Sequence, residues 1–388
     1  MSGTDRPAAI EARGLELVGH SDLDGRGDGM QVMRNGDVVY VGHMGDDGVG
    51  TSVVDVSDPR QPRVVRQLPA PVPARSHKVQ YADGLLLVNH EIFPPRDVTA
   101  ETGLAVYDVS HPAEPRRLGF LALRGLGVHR MWWTGGRYAY AAARSLPGIH
   151  GGAVVTIDLS DPERPRLHAE WHLPEQERAG RNPGIRAPGR YASCHHPIVA
   201  GDRLYAGWSD AGVLTFALDD GKLSLLGRVE WTDRVGGHPY THTALPLGER
   251  GLLVATDEAI DPDLMGARKD IHMIDLSDER APREIALFPV PDGHRDVRGL
   301  RFGPHNLHEN RPGTFRSDTV VYATYFSAGL RVYDTSDPTA PREVASFVPA
   351  APPGQACIQL NDLLVDADRT IFVTDRHRGG LYILRHTT

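Results

Sequence analysis

At 388 residues, with 40% hydrophobic side chains and a formal charge of −8, the chain can build a substantial core but carries no basic surplus for a nucleic-acid backbone. No run approaches the roughly 20 apolar residues that span a bilayer, so neither nucleic acid nor membrane is an expected partner. The 42 glycines and 30 prolines favour short strands and tight turns over long helices.

The N-terminal MSGTDRPAAIEARG lacks the basic start, apolar stretch and cleavage site of a secretory signal. Residues 1–14 therefore read as a flexible, untargeted leader, and the cytoplasm is the expected compartment. Only Cys194 and Cys357 are present, which excludes a disulfide framework and fits a reducing environment. Next comes LELVGHSDL at 15–23, and then a phrase that recurs: SVVDVSDPRQP at 52–62, AVYDVSHPAEP at 105–115, VTIDLSDPERP at 155–165, HMIDLSDERAP at 272–282 and RVYDTSDPTAP at 331–341. A degenerate copy, VLTFALDDGKL at 213–223, fills the double-length gap, and GLYILRH ends the series.

Each repeat contains four strand-like runs, as in His77 to Tyr81, Leu85 to Asn89, Gly103 to Val109 and Arg116 to Leu121. The Ser-Asp-Pro phrase between the last two reads as a structural turn, because Ser and Asp can bond nearby amides and proline ends the ladder. The pattern predicts an all-β fold, a seven-bladed β-propeller forming one domain over 1–388. The last repeat has no room for its fourth strand, and LELVGHSDL resembles RRLGFLAL at 116–123. The N-terminal segment is therefore expected to complete the last blade and close the ring.

With these repeats in view, and above all SAGLRVYDTSDPTAPREVASFVP, the chain resembles the LVIVD-repeat propeller family along essentially its whole length. That resemblance implies a fold far more than an activity.

The chemical signal lies at the start of each first strand. His77, His129 and His195 each stand 11 residues before a second-strand position, at Val88, Tyr140 and Ala206. His242 stands 12 before Val254, and His305 opens the corresponding PHNL phrase; Met30 and Asp362 occupy about the same place in the other two repeats. First strands line a propeller's axis, so these five imidazoles are expected to face a common point and ligate a divalent metal, with His196 competing with His195. Repeated structural histidines are the plain alternative. Imidazole suits first-row transition metals rather than calcium or magnesium, with iron, copper or manganese ahead of zinc.

Carboxylates are expected nearby to orient the ligands or move protons: Glu91 and Glu309 foremost, with Asp210, Asp257 and Glu258 also on the rim beside His90. Arg130, Arg144, Trp208, Tyr240 and Tyr325 are further candidates to shape a pocket. The arrangement is similar, by analogy alone, to the carotenoid-cleaving oxygenases and to the selenium-binding and methanethiol oxidase propellers, which implies metal chemistry without naming a substrate. The function expected is that of an oxidoreductase or oxygenase acting on a small organic substrate. A metal-dependent lyase or hydrolase, and a non-enzymatic scaffold for protein, remain alternatives. HxxHE at 305–309 does not match the zinc-protease phrase, Cys194 reads as a buried small residue, and nothing fixes the oligomeric state.

Overall fold

The computed structural model describes residues 7–94, 100–144, 146–177, 191–231, 239–260, 268–293 and 300–387. Among these the architecture is all-β, with a single turn of 3-10 helix at Pro174–Gln176. The strands are β1 (Ala9–Arg13), β2 (Leu15–Ser21), β3 (Gly29–Asn35), β4 (Val38–His43), β5 (Val49–Asp55), β6 (Arg63–Pro69), β7 (Ala74–Arg75), β8 (Val79–Ala82), β9 (Leu85–Ile92), β10 (Gly103–Asp108) and β11 (Arg116–Ala122). They continue with β12 (Gly127–Trp132), β13 (Tyr138–Arg144), β14 (Gly152–Asp158), β15 (Arg166–Trp171), β16 (Ala192–Ala200), β17 (Arg203–Ser209), β18 (Val213–Asp219), β19 (Lys222–Val229), β20 (Thr241–Pro246), β21 (Leu252–Asp257), β22 (Ile271–Asp275) and β23 (Arg283–Leu287). The last are β24 (Val320–Thr324), β25 (Leu330–Asp334), β26 (Arg342–Pro349), β27 (Leu360–Val365), β28 (Ile371–Asp375) and β29 (Gly380–His386).

Consecutive strands pair antiparallel in quartets such as β3-β4-β5-β6 and β12-β13-β14-β15, an arrangement consistent with the expected propeller. The first strands of successive quartets pack side by side: β3 on β8, β8 on β12, β12 on β16 and β16 on β20, with β3 also against β27. Burial falls along each quartet. In the first unit β3 and β4 are almost wholly buried, whereas β6 exposes most of its residues.

The two N-terminal strands join units built from the far end of the chain. β2 pairs with β29, Leu15 opposite His386 and Ser21 opposite Leu381. The preceding segment departs from the leader expected over 1–14, because Ala9–Arg13 forms β1 along β26. Arg331 anchors it through Glu11, at 2.6 Å. Residues 1–6 lie outside the described residues. Among the described residues no helix is long and apolar enough to cross a membrane.

The repeated phrase closes on itself. Asp55, Asp108, Asp158, Asp275 and Asp334 each accept the amide two residues on at 2.8 to 3.0 Å. Arg63, Arg116, Arg283 and Arg342 pair with four of those aspartates from eight residues downstream.

Candidate metal centre

The histidines project from a recurring irregularity. Register shifts between Val128 and Arg130, between Thr241 and Thr243, and within Ala192 to His196, so that His129, His242 and His195 are extra residues on their strands. The same shift falls between Gly29 and Val32 and between Leu360 and Asp362. A bulge leaves its residue unpaired and re-aims the side chain.

The adjoining unit holds the backbone at four of the corresponding places. Asn89 Nδ2 donates to the Val128 carbonyl at 2.7 Å, Thr256 Oγ1 to that of His305 at 2.7 Å, Thr324 Oγ1 to that of Asn361 at 2.9 Å and Thr374 Oγ1 to that of Met30 at 2.5 Å. Gly42 and Gly207 serve by absence: a Cβ there would lie 2.6 Å from the His77 carbonyl carbon and 2.4 Å from the His242 oxygen.

Five rings form a continuous arc. Centroid separations are 5.1 Å for His77 and His129, 4.4 Å for His129 and His195, 3.9 Å for His195 and His242, and 4.2 Å for His242 and His305. His129 Nδ1 donates to Glu91 at 2.8 Å, and His305 Nδ1 lies 2.7 Å from the Asn361 carbonyl. Each such bond fixes the tautomer and leaves a lone pair on Nε2, as metal-binding histidines require. His129 Nε2 meets His195 Nε2 at 2.9 Å. Among the described residues, His77 Nε2, His242 Nε2 and His195 Nδ1 are buried without a hydrogen-bond partner. Burial pushes all five imidazoles well below their ordinary pKa, and surrounding cations act in the same direction, so the rings are neutral donors at neutral pH.

Two groupings here can hold a metal ion: His77 with Glu91 and His129, and His195 with His242 and Glu258. The two acids differ. Glu91 is fully buried; its Oε2 accepts from Arg75 Nη2 at 2.8 Å, and its Oε1 faces His129 and lies 3.4 Å from Arg144 Nε. Glu258 is held by Arg301 at 2.5 Å, and its oxygens lie 3.5 Å from His305, 3.8 Å from His195 and 4.0 Å from His242.

Beneath the arc runs a second polar layer from the residues that follow the bulges: Gln31, Lys78, Arg130, His196, Thr243, Asn306 and Asp362. Asp362 takes Lys78 and Arg130, each at 3.3 Å. Glu309 belongs to this layer, where Arg130 reaches it at 2.8 Å and Arg311 at 3.3 Å, with His196 at 3.4 Å. Burial alone would raise the Glu309 pKa, but Arg130 and Arg311 reverse the sign and lower it. Lys78 is pushed down to about 7, first by burial and then by Arg130. Asp362, aligned with the histidines by sequence, thus sits one residue beyond the bulge, which Asn361 occupies.

Above the arc lies a cavity of about 490 Å³ lined by Met30, His77, His129, His195, His242, His305 and Glu258, with Arg75, Arg144, Arg301, Arg376, Phe93 and Tyr240 among its other walls. Of the rim residues expected, Glu258, Arg144 and Tyr240 line it. Neither Glu91 nor Glu309 does: the first stands behind His129, the second in the layer beneath. His90 turns to Phe120, Asp257 binds Trp231 and His272, Trp208 packs on Trp171, and Arg130 points into the lower layer. Arg75, Arg301 and Arg376 had no signal in the repeat, since Arg75 ends the short β7, Arg301 lies in the stretch before His305 and Arg376 follows β28, positions that no shared phrase marks. Burial raises the Cys194 thiol well above its ordinary pKa, so it is no nucleophile at neutral pH.

Fold and site together define an all-β protein with buried His/Glu groups suited to a metal ion. No protein-family model matches the chain, and no curated protein shows significant similarity to it.

Proposed function

We propose that the chain is a seven-bladed β-propeller of the LVIVD-repeat kind, one domain over 1–388, with β2 completing the last blade. Supporting this are the side-by-side first strands and the Thr374 to Met30 link that joins the last repeat to the first. Deleting residues 1–25 should expose the β29 edge and promote aggregation; unchanged melting and solubility would count against closure. The cytoplasm is the proposed compartment, supported by the unbridged Cys194 and Cys357.

We further propose that His77, His129, His195, His242 and His305 hold a divalent transition metal, iron, copper or manganese ahead of zinc, in an oxidoreductase or oxygenase acting on a small organic substrate. One observation carries this reading: among the described residues the buried Nε2 atoms of His77 and His242 have no hydrogen-bond partner, and they flank the His129 and His195 Nε2 atoms, which meet at 2.9 Å. When bound, such an ion supplies redox exchange or polarises a substrate oxygen. The chain's own groups do the rest. Glu91 and the Asn361 carbonyl orient His129 and His305, and Glu258, aimed by Arg301 at the cavity, is placed to exchange a proton with bound substrate.

Metal exchange tests the chemistry once a substrate is in hand. Zn²⁺ in place of the native ion should abolish turnover, because zinc has no accessible redox state. Turnover sustained by Zn²⁺ would shift the reading to a lyase or hydrolase, and full turnover by verified metal-free protein would overturn both.

A further inference from the structure

The walls of the cavity carry an uneven charge. Four guanidiniums line it, from Arg75, Arg144, Arg301 and Arg376. Two carboxylates answer them: Glu91 takes Arg75 and Arg144, and Glu258 takes Arg301. The fourth, Arg376, has no carboxylate in ion-pair contact among the described residues, although Glu258 and Asp375 act on it from further away. Among the described residues the Arg376 side chain makes one polar contact, from Nη2 to the Met44 sulfur at 3.2 Å, although the residue is only 9% exposed.

Its neighbour Asp375 is committed elsewhere. One oxygen accepts the amides of His377, Arg378 and Gly379, and the other accepts that of Gln359 at 2.5 Å. Burial, then the charge of Arg301, lowers the Arg376 pKa to about 9, still cationic at neutral pH. A buried cation with no carboxylate in direct contact is costly, and the cost falls when an anion enters.

Position and shape add to charge. The Arg376 guanidinium lies 5.9 Å from the centroid of Phe326, the same ring that stacks on His305 at 4.7 Å. An anion on Arg376 is therefore brought to the edge of the histidine arc. Phe93, with the Arg75 guanidinium 4.1 Å over its ring, lines the same cavity, and Met30, Pro94 and Ile260 add apolar wall. About 490 Å³ lies within the range of small-molecule sites.

We infer that the cavity binds a small organic carboxylate, its anionic group paired with Arg376 and its apolar body against the Phe93 wall. This names a substrate class for the metal centre proposed above and rests on that reading, but the anion site is defined by residues outside the histidine arc. Guanidinium suits it because its fork meets a carboxylate through two parallel bonds.

The test is calorimetric titration of the full-length protein with benzoate, benzamide and sulfate, with metal content measured on every preparation. Benzoate should bind about tenfold or more tightly than benzamide, which keeps the shape but not the charge, and more tightly than sulfate, which keeps charge but not the apolar body. Arg376→Gln should lose that preference at unchanged metal content, and Arg376→Lys should restore part of it. Equal binding of benzoate and benzamide by wild-type protein overturns the inference even if the Gln variant does not fold, and so does sulfate binding as tightly as benzoate. Benzoate preference in protein that takes up no metal would leave the anion site standing and remove the metal centre. Stoichiometric metal without that preference would do the reverse.

Discussion

Two features recur around this chain, the Ser-Asp-Pro turns and the bulged histidines, and they differ in where their polar atoms find partners. Each turn aspartate is satisfied within its own repeat, by an amide two residues on and, in four of them, an arginine eight residues on. The histidines instead converge from separate repeats. The backbone at His129 and His305 is secured by the preceding unit, yet buried ring nitrogens are left unmatched. A repeat that closes its own hydrogen bonds needs nothing further, whereas one that gathers unsatisfied donors at a shared point is built for a ligand.

The comparison is broken most severely behind the arc. Glu91→Ala leaves Arg75 and Arg144 buried without their carboxylate, with an expected loss of about 3–5 kcal/mol, and frees the His129 ring, with metal affinity down roughly 10–100-fold. Chemical denaturation and metal titration read the two effects. A variant as stable as wild type would show that the cations do not depend on Glu91.

A smaller effect separates the axial rings from a histidine outside them. His272 stacks on Trp231 at 4.0 Å and lies between Asp257 and Glu284. Burial disfavours its charge, but Asp257 and then Glu284 prevail and raise its pKa to about 9. A raised pKa stabilises the fold fully below the ordinary value of 6.5, and that contribution is lost as pH rises through about 9. His272→Gln should therefore lower the melting temperature more at pH 6 than at pH 9.5. A gap that widens with pH would contradict the assignment.

The turns define the lower end of the scale. Asp275→Ala removes an exposed pair and a turn bond, so stability should change by no more than about 1 kcal/mol, with metal content unaltered. Loss of metal in that variant would erase the distinction between the two repeats.

The turns and the strand runs were legible because each is a local pattern: DVSDP forms where the sequence places it, and Leu85 to Asn89 lies inside β9. The histidine spacing was legible for the same reason. What the spacing hid was the bulge, which adds one residue and so led to Asp362 rather than Asn361 in the last repeat. The second layer was also invisible, since Lys78, Arg130 and Asn306 share no residue type and acquire meaning only when Asp362 and Glu309 meet them across the molecule. Glu309 follows His308 in sequence but lies below the arc, and Arg376 becomes conspicuous only once its lack of a paired carboxylate among the described residues is seen in space.

The central claim is that the imidazole arc holds a metal, and elemental analysis of protein purified without an affinity tag measures it directly, alongside His129→Ala and His242→Ala. The account predicts near-stoichiometric transition metal in the wild type and its loss from both variants, with their strand signal retained in circular dichroism. Wild-type protein that stays free of metal after incubation with iron, copper, manganese and zinc, or alanine variants that hold the ion as tightly as wild type, would contradict it.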